Sequence, residues 1–222
     1  MKLRSKKHPG QTWFATLSIY FFGGILLRFL YKIRIEGGEN IPKDGPLLVL
    51  AKHQRLNDIP LGCAALFAKS GRRAWCIMKD TLNLPYLFGY LLKCGGIPID
   101  RKNPEKTKES FTFAKHVLYH NQLVCIFPEQ TFFPWKMGKG KVPGFRVIAG
   151  KPEHPLQVIC VGFEYGHEKW RTSVTIRIGK VAYFTKEDNA EAYLHEKMKE
   201  LATLSNLEYT FPMQTSKEET ES

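Results

Sequence analysis

The pattern of apolar and polar positions predicts strands and helices that alternate along the chain. Short apolar runs bounded by turn residues indicate buried strands at 46–50, 74–78, 122–129, 155–163 and 173–179, and 33–37 alternates as a further strand. Apolar or amphipathic runs predict helices at 59–68, 82–94, 104–121 and 187–204. This order predicts an α/β fold, a three-layer sandwich with a mixed, mostly parallel sheet.

The amino terminus is basic and is followed by an apolar stretch at 12–31 that only Arg28 interrupts. The stretch is about long enough to cross a bilayer, and Trp13 and Tyr31 lie near its ends, where aromatic rings favour the membrane interface. A signal peptide is disfavoured because there is no clear small-residue cleavage site. A spanning helix and a monotopic helix both remain open, and either places the chain at a membrane.

These patterns predict three regions. Residues 1–32 form a basic N-terminus with a membrane-associated helical segment, residues 33–206 form the α/β domain, and residues 207–222 form a polar, disordered tail. The segment 132–144, rich in aromatic residues, lysine and glycine, is predicted to be a loop.

The charge balance predicts an anionic partner, because 33 lysines and arginines face 21 acidic residues. Phosphorylated substrates and anionic lipid headgroups fit, whereas nucleic acid is disfavoured because no recognisable binding module is present. The five cysteines are scattered without a CxxC pair. We therefore expect no metal site and no disulfide framework, and a reducing cytosolic compartment.

The first candidate site is the stretch 51–60, between a predicted strand and a predicted helix. His53 leaves the strand, and Asp58 lies at the start of the helix as a natural N-cap. Ligands of α/β sheets bind outside the carboxyl ends of the strands. A histidine there, oriented by a carboxylate, could act as a general base. A surface histidine beside a capping aspartate explains these residues equally well.

Two further strand ends carry charge: Asp100 and Arg101 end a glycine turn and short strand at 95–101, and Glu129 ends the strand at 122–129. The three groups are more specific together than apart. His53-x-x-x-x-Asp58, then Ile99-Asp100-Arg101, then Phe127-Pro128-Glu129-x-Thr131 resembles the glycerolipid acyltransferase family. The nearest match is the 1-acylglycerol-3-phosphate acyltransferase branch, and the similarity covers roughly 33–161.

The resemblance implies a role for each matching residue. His53 corresponds to the catalytic base and Asp58 to the acid that orients it. The second motif, whose arginine contacts the acceptor's phosphate, is matched by Gly96, Ile99, Asp100 and Arg101. The third motif, also assigned to acceptor binding, is matched by Phe127, Pro128, Glu129, Gln130 and Thr131.

The resemblance also implies a reaction. A fatty acyl group would pass from acyl-CoA or acyl carrier protein to the free hydroxyl of a lysophospholipid, first of all 1-acyl-sn-glycerol 3-phosphate, giving phosphatidic acid. The enzyme would work at the cytoplasmic face of a membrane, without a cofactor or metal. No serine or cysteine lies beside His53, so direct transfer is favoured over an acyl-enzyme.

The chain departs from the family pattern at the third motif, which usually reads Glu-Gly-Thr-Arg. Here Gln130 replaces the glycine and Phe132 replaces the arginine. Lys136, Lys139 and Lys141 could supply the missing charge or could form a solvated loop face. Cys160 also stands where the fourth motif usually has proline. A different lysolipid, a glycolipid or an aminolipid acceptor therefore remains open, as does a non-catalytic membrane lipid-binding protein of the same fold.

Overall fold

The computed structural model describes residues 8–83, 88–100, 102–167 and 170–213. The strands it describes are β1 (Tyr31–Glu36), β2 (Leu47–Ala51), β3 (Ala74–Lys79), β4 (Gly96–Ile99), β5 (Leu123–Ile126), β6 (Leu156–His167), β7 (Thr172–Ile178) and β8 (Ala182–Phe184). The α-helices are α1 (Trp13–Gly24), α2 (Asp58–Ser70), α3 (Tyr90–Cys94), α4 (Pro104–Tyr119), α5 (Val142–Ala149) and α6 (Ala190–Leu204).

The strands form one mixed sheet in the order β1-β7-β6-β2-β5-β3-β4, with β8 also paired to β6. Strands β6, β2, β5, β3 and β4 run parallel to one another. The antiparallel partners are β7 and β8, which pair with successive parts of the long β6. The prediction of a mixed, mostly parallel sheet is confirmed.

The burial of the central strand β2 shows that both faces of the sheet are covered. All five of its residues are at most 4% exposed, which is typical of a parallel strand covered on both sides. Leu48 and Leu50 pack into the core beneath α4, α5 and α6. Leu47 and Val49 pack into the second core beneath α1 and α2. Successive side chains of a strand point to opposite faces, so the predicted three layers are present.

The apolar N-terminal stretch does not form one helix, which corrects that expectation. Helix α1 has 12 residues and ends at Gly24, while Tyr31 already begins β1. Gly23 packs so closely on α2 that a Cβ atom there would lie 2.0 Å from the carbonyl oxygen of Pro60. Helix α1 is therefore fixed against α2 by backbone contact. None of the helices in the described residues is long and apolar enough to cross a membrane.

Three other expectations need correction. Of the predicted helix at 82–94, the structure describes α3, and Gly89 directly before it adopts a left-handed φ of 68°; residues 84–87 lie outside the described residues. Helix α5 begins inside the predicted loop at 132–144, and Pro143 occupies its first turn, a position that proline tolerates. The short strand β8 was not predicted, since three residues carry too little periodicity.

The predicted tail is described only in part. Residues 207–213 form neither helix nor strand. Leu207 and Tyr209 nevertheless pack against the core beneath α6. The rest of the tail and the basic residues before His8 lie outside the described residues.

Candidate active site

The parallel strands bring two of the three motifs together at one edge of the sheet. His53 follows β2 and Glu129 follows β5, its hydrogen-bonded neighbour. Asp100 follows β4, which is separated from β2 by β5 and β3. Since strands lie about 4.8 Å apart, the second motif lies roughly 14 Å from the first across the sheet.

His53 and Asp58 form a hydrogen-bonded pair between the end of β2 and the start of α2. Nδ1 of His53 lies 3.2 Å from Oδ2 of Asp58. The same oxygen accepts the backbone N–H groups of Gln54 at 2.6 Å and Arg55 at 2.7 Å. The hydroxyl of Tyr165, on β6, donates to the other oxygen of Asp58. The carboxylate is 1% exposed, so protein donors hold it in place of water.

The expectation that Asp58 is the N-cap of α2 is wrong in detail. Asn57 occupies the cap position, and it makes no side-chain capping hydrogen bond. Asp58 is the first helical residue, and its side chain turns back to the loop amides of Gln54 and Arg55. The carboxylate thus stabilises the conformation of the loop that carries His53.

The imidazole of His53 presents one free nitrogen to the site. Its hydrogen bond to Asp58 places the proton on Nδ1, which leaves the lone pair on Nε2. No described residue hydrogen-bonds to Nε2. The rings of Phe127 and Phe132 pack on the imidazole, with centroids 4.2 and 4.0 Å away. The ring is therefore fixed in orientation and tautomer, as a general base requires.

Tyr165 holds the second oxygen of Asp58 as a permanent donor. Burial, reinforced by the neighbouring Asp58 carboxylate, raises the pKa of Tyr165. The phenol therefore stays protonated across the physiological range. Its ring meets Tyr31 edge-on with centroids 6.1 Å apart, and Tyr31 accepts a hydrogen bond from Asn57 at 2.9 Å.

A second charged pair, Lys52 with Glu129, lies directly beside the first and is fully buried. Nζ of Lys52 lies 2.7 and 2.8 Å from the two carboxylate oxygens, and the side chains are 0% and 1% exposed. Nζ also donates to the carbonyl of Phe133 at 3.0 Å. The backbone N–H of Gly138 donates to Glu129. Burial lowers the pKa of Lys52 and raises the pKa of Glu129, and their mutual attraction opposes both shifts.

The loop after Glu129 is tied to the first motif by backbone hydrogen bonds. The N–H of Phe133 donates to the carbonyl of His53 at 3.0 Å, and the N–H of Trp135 donates to Oε1 of Gln54 at 3.0 Å. Nε2 of Gln54 in turn donates to the carbonyl of Phe163 at 2.5 Å. Loop, motif and β6 therefore form one connected unit.

The predicted residues of the third motif differ in what they face. Glu129 points at Lys52 and not into open space, so in this structure its contacts position the loop. Gln130 has a left-handed φ of 61°, a position where the glycine typical of the family would carry no strain. Thr131 is exposed. Their predicted part in acceptor binding stays a prediction.

The second motif borders a separate cleft. Asp100 receives hydrogen bonds from Lys102 at its side chain and from Asn103 at its carbonyl, while Ile99 is 4% exposed and Gly96 accepts a hydrogen bond from His8. A cleft of about 1060 Å³ lies between the end of β4 with Asp100 and one side of α4, from Glu105 to His116. Arg101, the predicted phosphate ligand, lies outside the described residues.

Sequence reasoning missed four side chains that the structure places at the site: Lys52, Gln54, Arg55 and Tyr165. The sequence contained a signal for Lys52, because this lysine directly follows five apolar strand positions. A lysine buried there would need an oppositely charged partner. Tyr165 carried none, since only the fold brings the end of β6 to α2. Among the described residues, no group of three or more His, Cys, Asp or Glu side chains could hold a metal ion.

Two comparisons with known proteins find acyltransferases. Residues 32–138 match a family model described as Acyltransferase. The fold is similar to the crystal structure of the 1-acyl-sn-glycerophosphate (LPA) acyltransferase, PlsC, from Thermotoga maritima, with a TM-score of 0.64 and 23% identity over 88% of this chain and 81% of that one. A search of curated proteins found no significant match. The resemblance drawn from the motifs is thereby confirmed for the acyltransferase domain and for its fold.

Proposed function

We propose that this protein is an O-acyltransferase that moves a fatty acyl group from a thioester to the free hydroxyl of a lysophospholipid. One observation carries the proposal: Nε2 of His53 has no partner among the described residues, while the ring is fixed by Asp58. The acyltransferase family match supports the same reaction type.

The reaction follows from the free nitrogen. As the acceptor hydroxyl attacks the thioester carbonyl carbon, Nε2 of His53 takes its proton, because a neutral hydroxyl is a poor nucleophile. Asp58 stabilises the resulting imidazolium. When the tetrahedral intermediate collapses, the C–S bond breaks and the leaving sulfur takes the proton back. The products are an ester and a free thiol, and His53 regains its starting form.

The acceptor we favour is 1-acyl-sn-glycerol 3-phosphate, which would give phosphatidic acid in glycerophospholipid biosynthesis. The order of the three motifs and the likeness to a solved LPA acyltransferase support it. Acyl-CoA or acyl carrier protein is the proposed donor. Because Phe132 occupies the place of an arginine, another lysolipid, a glycolipid or an aminolipid is the alternative acceptor.

We further propose that the N-terminal region rests on the cytoplasmic face of a membrane. Large apolar side chains of α1 and the turn after it are 42–84% exposed: Trp13, Phe14, Leu17, Phe21, Phe22, Ile25, Leu26, Phe29 and Leu30. An apolar groove of about 460 Å³ lies between α1, α2 and β1. Apolar surface of this extent is typical of a membrane or partner contact. The five free cysteines are consistent with the cytosolic side.

Vesicle sedimentation tests the membrane contact. The double variant Phe14→Ser, Phe29→Ser removes two of the most exposed rings and should weaken binding to vesicles of phosphatidylglycerol and phosphatidylcholine at least tenfold. Trp170→Ser is the matched control, because Trp170 is 93% exposed but lies on the β6–β7 connection. Equal binding by the wild type and the double variant would contradict this contact.

Release of free thiol from acyl-CoA, measured with purified protein and a panel of lysolipids, tests the activity. His53→Ala should lower turnover by about 10²–10⁴-fold, the usual contribution of a general base. The variant should remain folded, as its circular dichroism spectrum would show. His154→Ala is the control, because His154 is exposed in the turn before β6. Undiminished turnover in His53→Ala would exclude His53 as the base.

A non-catalytic lipid-binding protein is the second candidate, and one observation favours it. Phe132 packs on the imidazole of His53 at a centroid distance of 4.0 Å, where the family pattern has a charged side chain. Tight binding of lysolipids without thiol release from any donor would support this candidate over the enzyme.

A further inference from the structure

Arg55 lies beside the candidate base on a ledge of two aromatic rings. Its guanidinium carbon lies 4.4 Å from the ring centroid of Tyr165 and 5.0 Å from that of Trp135. The two rings meet at 77° with centroids 6.4 Å apart. Cation–π contact with two rings restrains the guanidinium in one orientation.

The guanidinium has no carboxylate partner among the described residues, in contrast to two other arginines. Arg177 pairs with two carboxylates and Arg146 with one. The nearest acid of the site, Asp58, is already occupied by His53, by two backbone N–H groups and by Tyr165. The neighbouring Lys52 is neutralised by Glu129. Arg55 is therefore the cation of this site whose charge no described carboxylate balances.

Trp135, which supplies one of the two rings, has an unfavourable backbone conformation. Trp135 has a left-handed φ of 61°, which costs a non-glycine residue roughly 1–2 kcal/mol. Its N–H is fixed to Gln54, the residue before Arg55. Strain of this kind collects at functional sites. The loop therefore places the indole under Arg55 at the expense of local stability.

We propose that Arg55 is a substrate-binding residue that recognises a phosphate monoester close to His53. This inference rests on the proposed function. The planar guanidinium is suited to bidentate binding of phosphate, and stacking leaves its N–H edges available. The guanidinium stacks on the ring of Tyr165, whose hydroxyl donates to Asp58, the partner of His53, so the bound phosphate would lie close to the candidate base. Arg55 thereby supplies the charge that Phe132 cannot.

The phosphate monoester has two possible sources, the headgroup of a lysophosphatidate acceptor and the 3′-phosphate of a CoA donor. Two pairs of substrates separate them. Lysophosphatidate is compared with monoacylglycerol, which has the same hydroxyl but no phosphate. Acyl-CoA is compared with acyl-dephospho-CoA, which differs only in the 3′-phosphate.

Steady-state kinetics with three variants tests the role. Arg55→Met keeps an unbranched stem without charge, and Arg55→Lys keeps the charge without the fork. Lys151→Met is the matched control, because Lys151 is an exposed cation before β6, at the end of the sheet opposite His53. We expect Arg55→Met to raise KM for the phosphate-bearing substrate about 10–100-fold, with kcat within about threefold. Arg55→Lys should fall between Arg55→Met and the wild type, and Lys151→Met should match the wild type.

The two substrate pairs show which substrate supplies the phosphate monoester. They can also overturn the proposal. A raised KM for lysophosphatidate but not for monoacylglycerol assigns the acceptor headgroup. A raised KM for acyl-CoA but not for acyl-dephospho-CoA assigns the donor. An equal loss with every substrate, including those without the monoester, would show a structural role only and would overturn the proposal.

Direct binding separates this inference from the proposed function. Glycerol 3-phosphate and CoA are titrated calorimetrically into the wild type, Arg55→Met and Arg55→Lys, with no acyl donor present. Binding that depends on Arg55 in a protein without turnover would support the inference and reject the enzyme. Turnover that depends on His53 but is unchanged in both Arg55 variants, with unchanged binding of both probes, would overturn the inference and leave the enzyme.

Discussion

Lys52 and His53 are adjacent in the chain, and each pairs with a buried carboxylate, yet the two pairs have opposite surroundings. Directly after β2, Lys52 turns toward Glu129 and the loop after β5, and His53 turns toward Asp58 on α2. Every polar atom of the Lys52–Glu129 pair faces protein. In the His53–Asp58 pair, Nε2 has no partner among the described residues.

The difference shows what separates a structural pair from a chemical one. Both pairs are buried, and each joins two elements of the fold. A group that acts on a substrate must keep one polar atom free, and the protein must hold that group by its remaining atoms. His53 meets both conditions, whereas Lys52 meets only the second. Charge type and burial alone would not distinguish them.

Breaking the enclosed pair should give the largest change in stability. Lys52→Met leaves Glu129 buried without its cation and should lower the free energy of unfolding by about 3–5 kcal/mol. Burial already lowers the pKa of Lys52 and raises that of Glu129, so both charges cost free energy to enclose. Urea denaturation followed by circular dichroism measures the loss.

The double variant Lys52→Met, Glu129→Leu is the control for this interpretation. It removes both charges, so part of the lost stability should return. It leaves the N–H of Gly138 and the carbonyl of Phe133 without partners, and a deficit of about 2 kcal/mol should remain. A double variant less stable than Lys52→Met would contradict the desolvation argument.

Weakening the support of the open pair should change turnover more than stability. Tyr165→Phe removes one donor from Asp58, which keeps its three others. We expect kcat to fall about tenfold with KM unchanged, since a hydrogen bond to a charged group contributes about 1.5–3 kcal/mol. The Nδ1 proton resonance of His53 should shift, a signature that a purely structural role of Tyr165 would not produce.

Tyr31→Phe is the matched control for that variant. Its ring contacts Tyr165 edge-on, and its hydroxyl bonds to Asn57 and not to Asp58. The control should therefore keep kcat and the His53 resonance. Equal effects of the two substitutions would mean that Tyr165 acts through packing alone.

The sequence predicted the parts of this comparison that depend on local order. An apolar strand, a histidine, a spacing of five and an alanine-rich helix were enough to place His53 and Asp58 at the edge of the sheet. Lys52–Glu129 and Tyr165–Asp58 join residues 77 and 107 positions apart, so their pairing depends on the strand order β6-β2-β5. A periodic pattern records which face a residue occupies but not which strand lies beside it.

The exposed pair of Glu164 with Arg177 extends the comparison to the surface and should have the smallest effect. Their side chains are 30% and 29% exposed and 2.5 Å apart. The hydrogen bond from Arg177 lowers the pKa of Glu164 below its ordinary value of 4.5. A depressed pKa adds stability above pH 4.5, and this contribution is lost as the pH falls through the folded-state value.

Glu164→Gln should therefore lower the free energy of unfolding by less than about 1 kcal/mol at pH 7. The difference from the wild type should shrink in acid and in high salt, which thermal melts at pH 7 and pH 3 would measure. A loss as large as that of Lys52→Met would mean that burial does not separate these pairs.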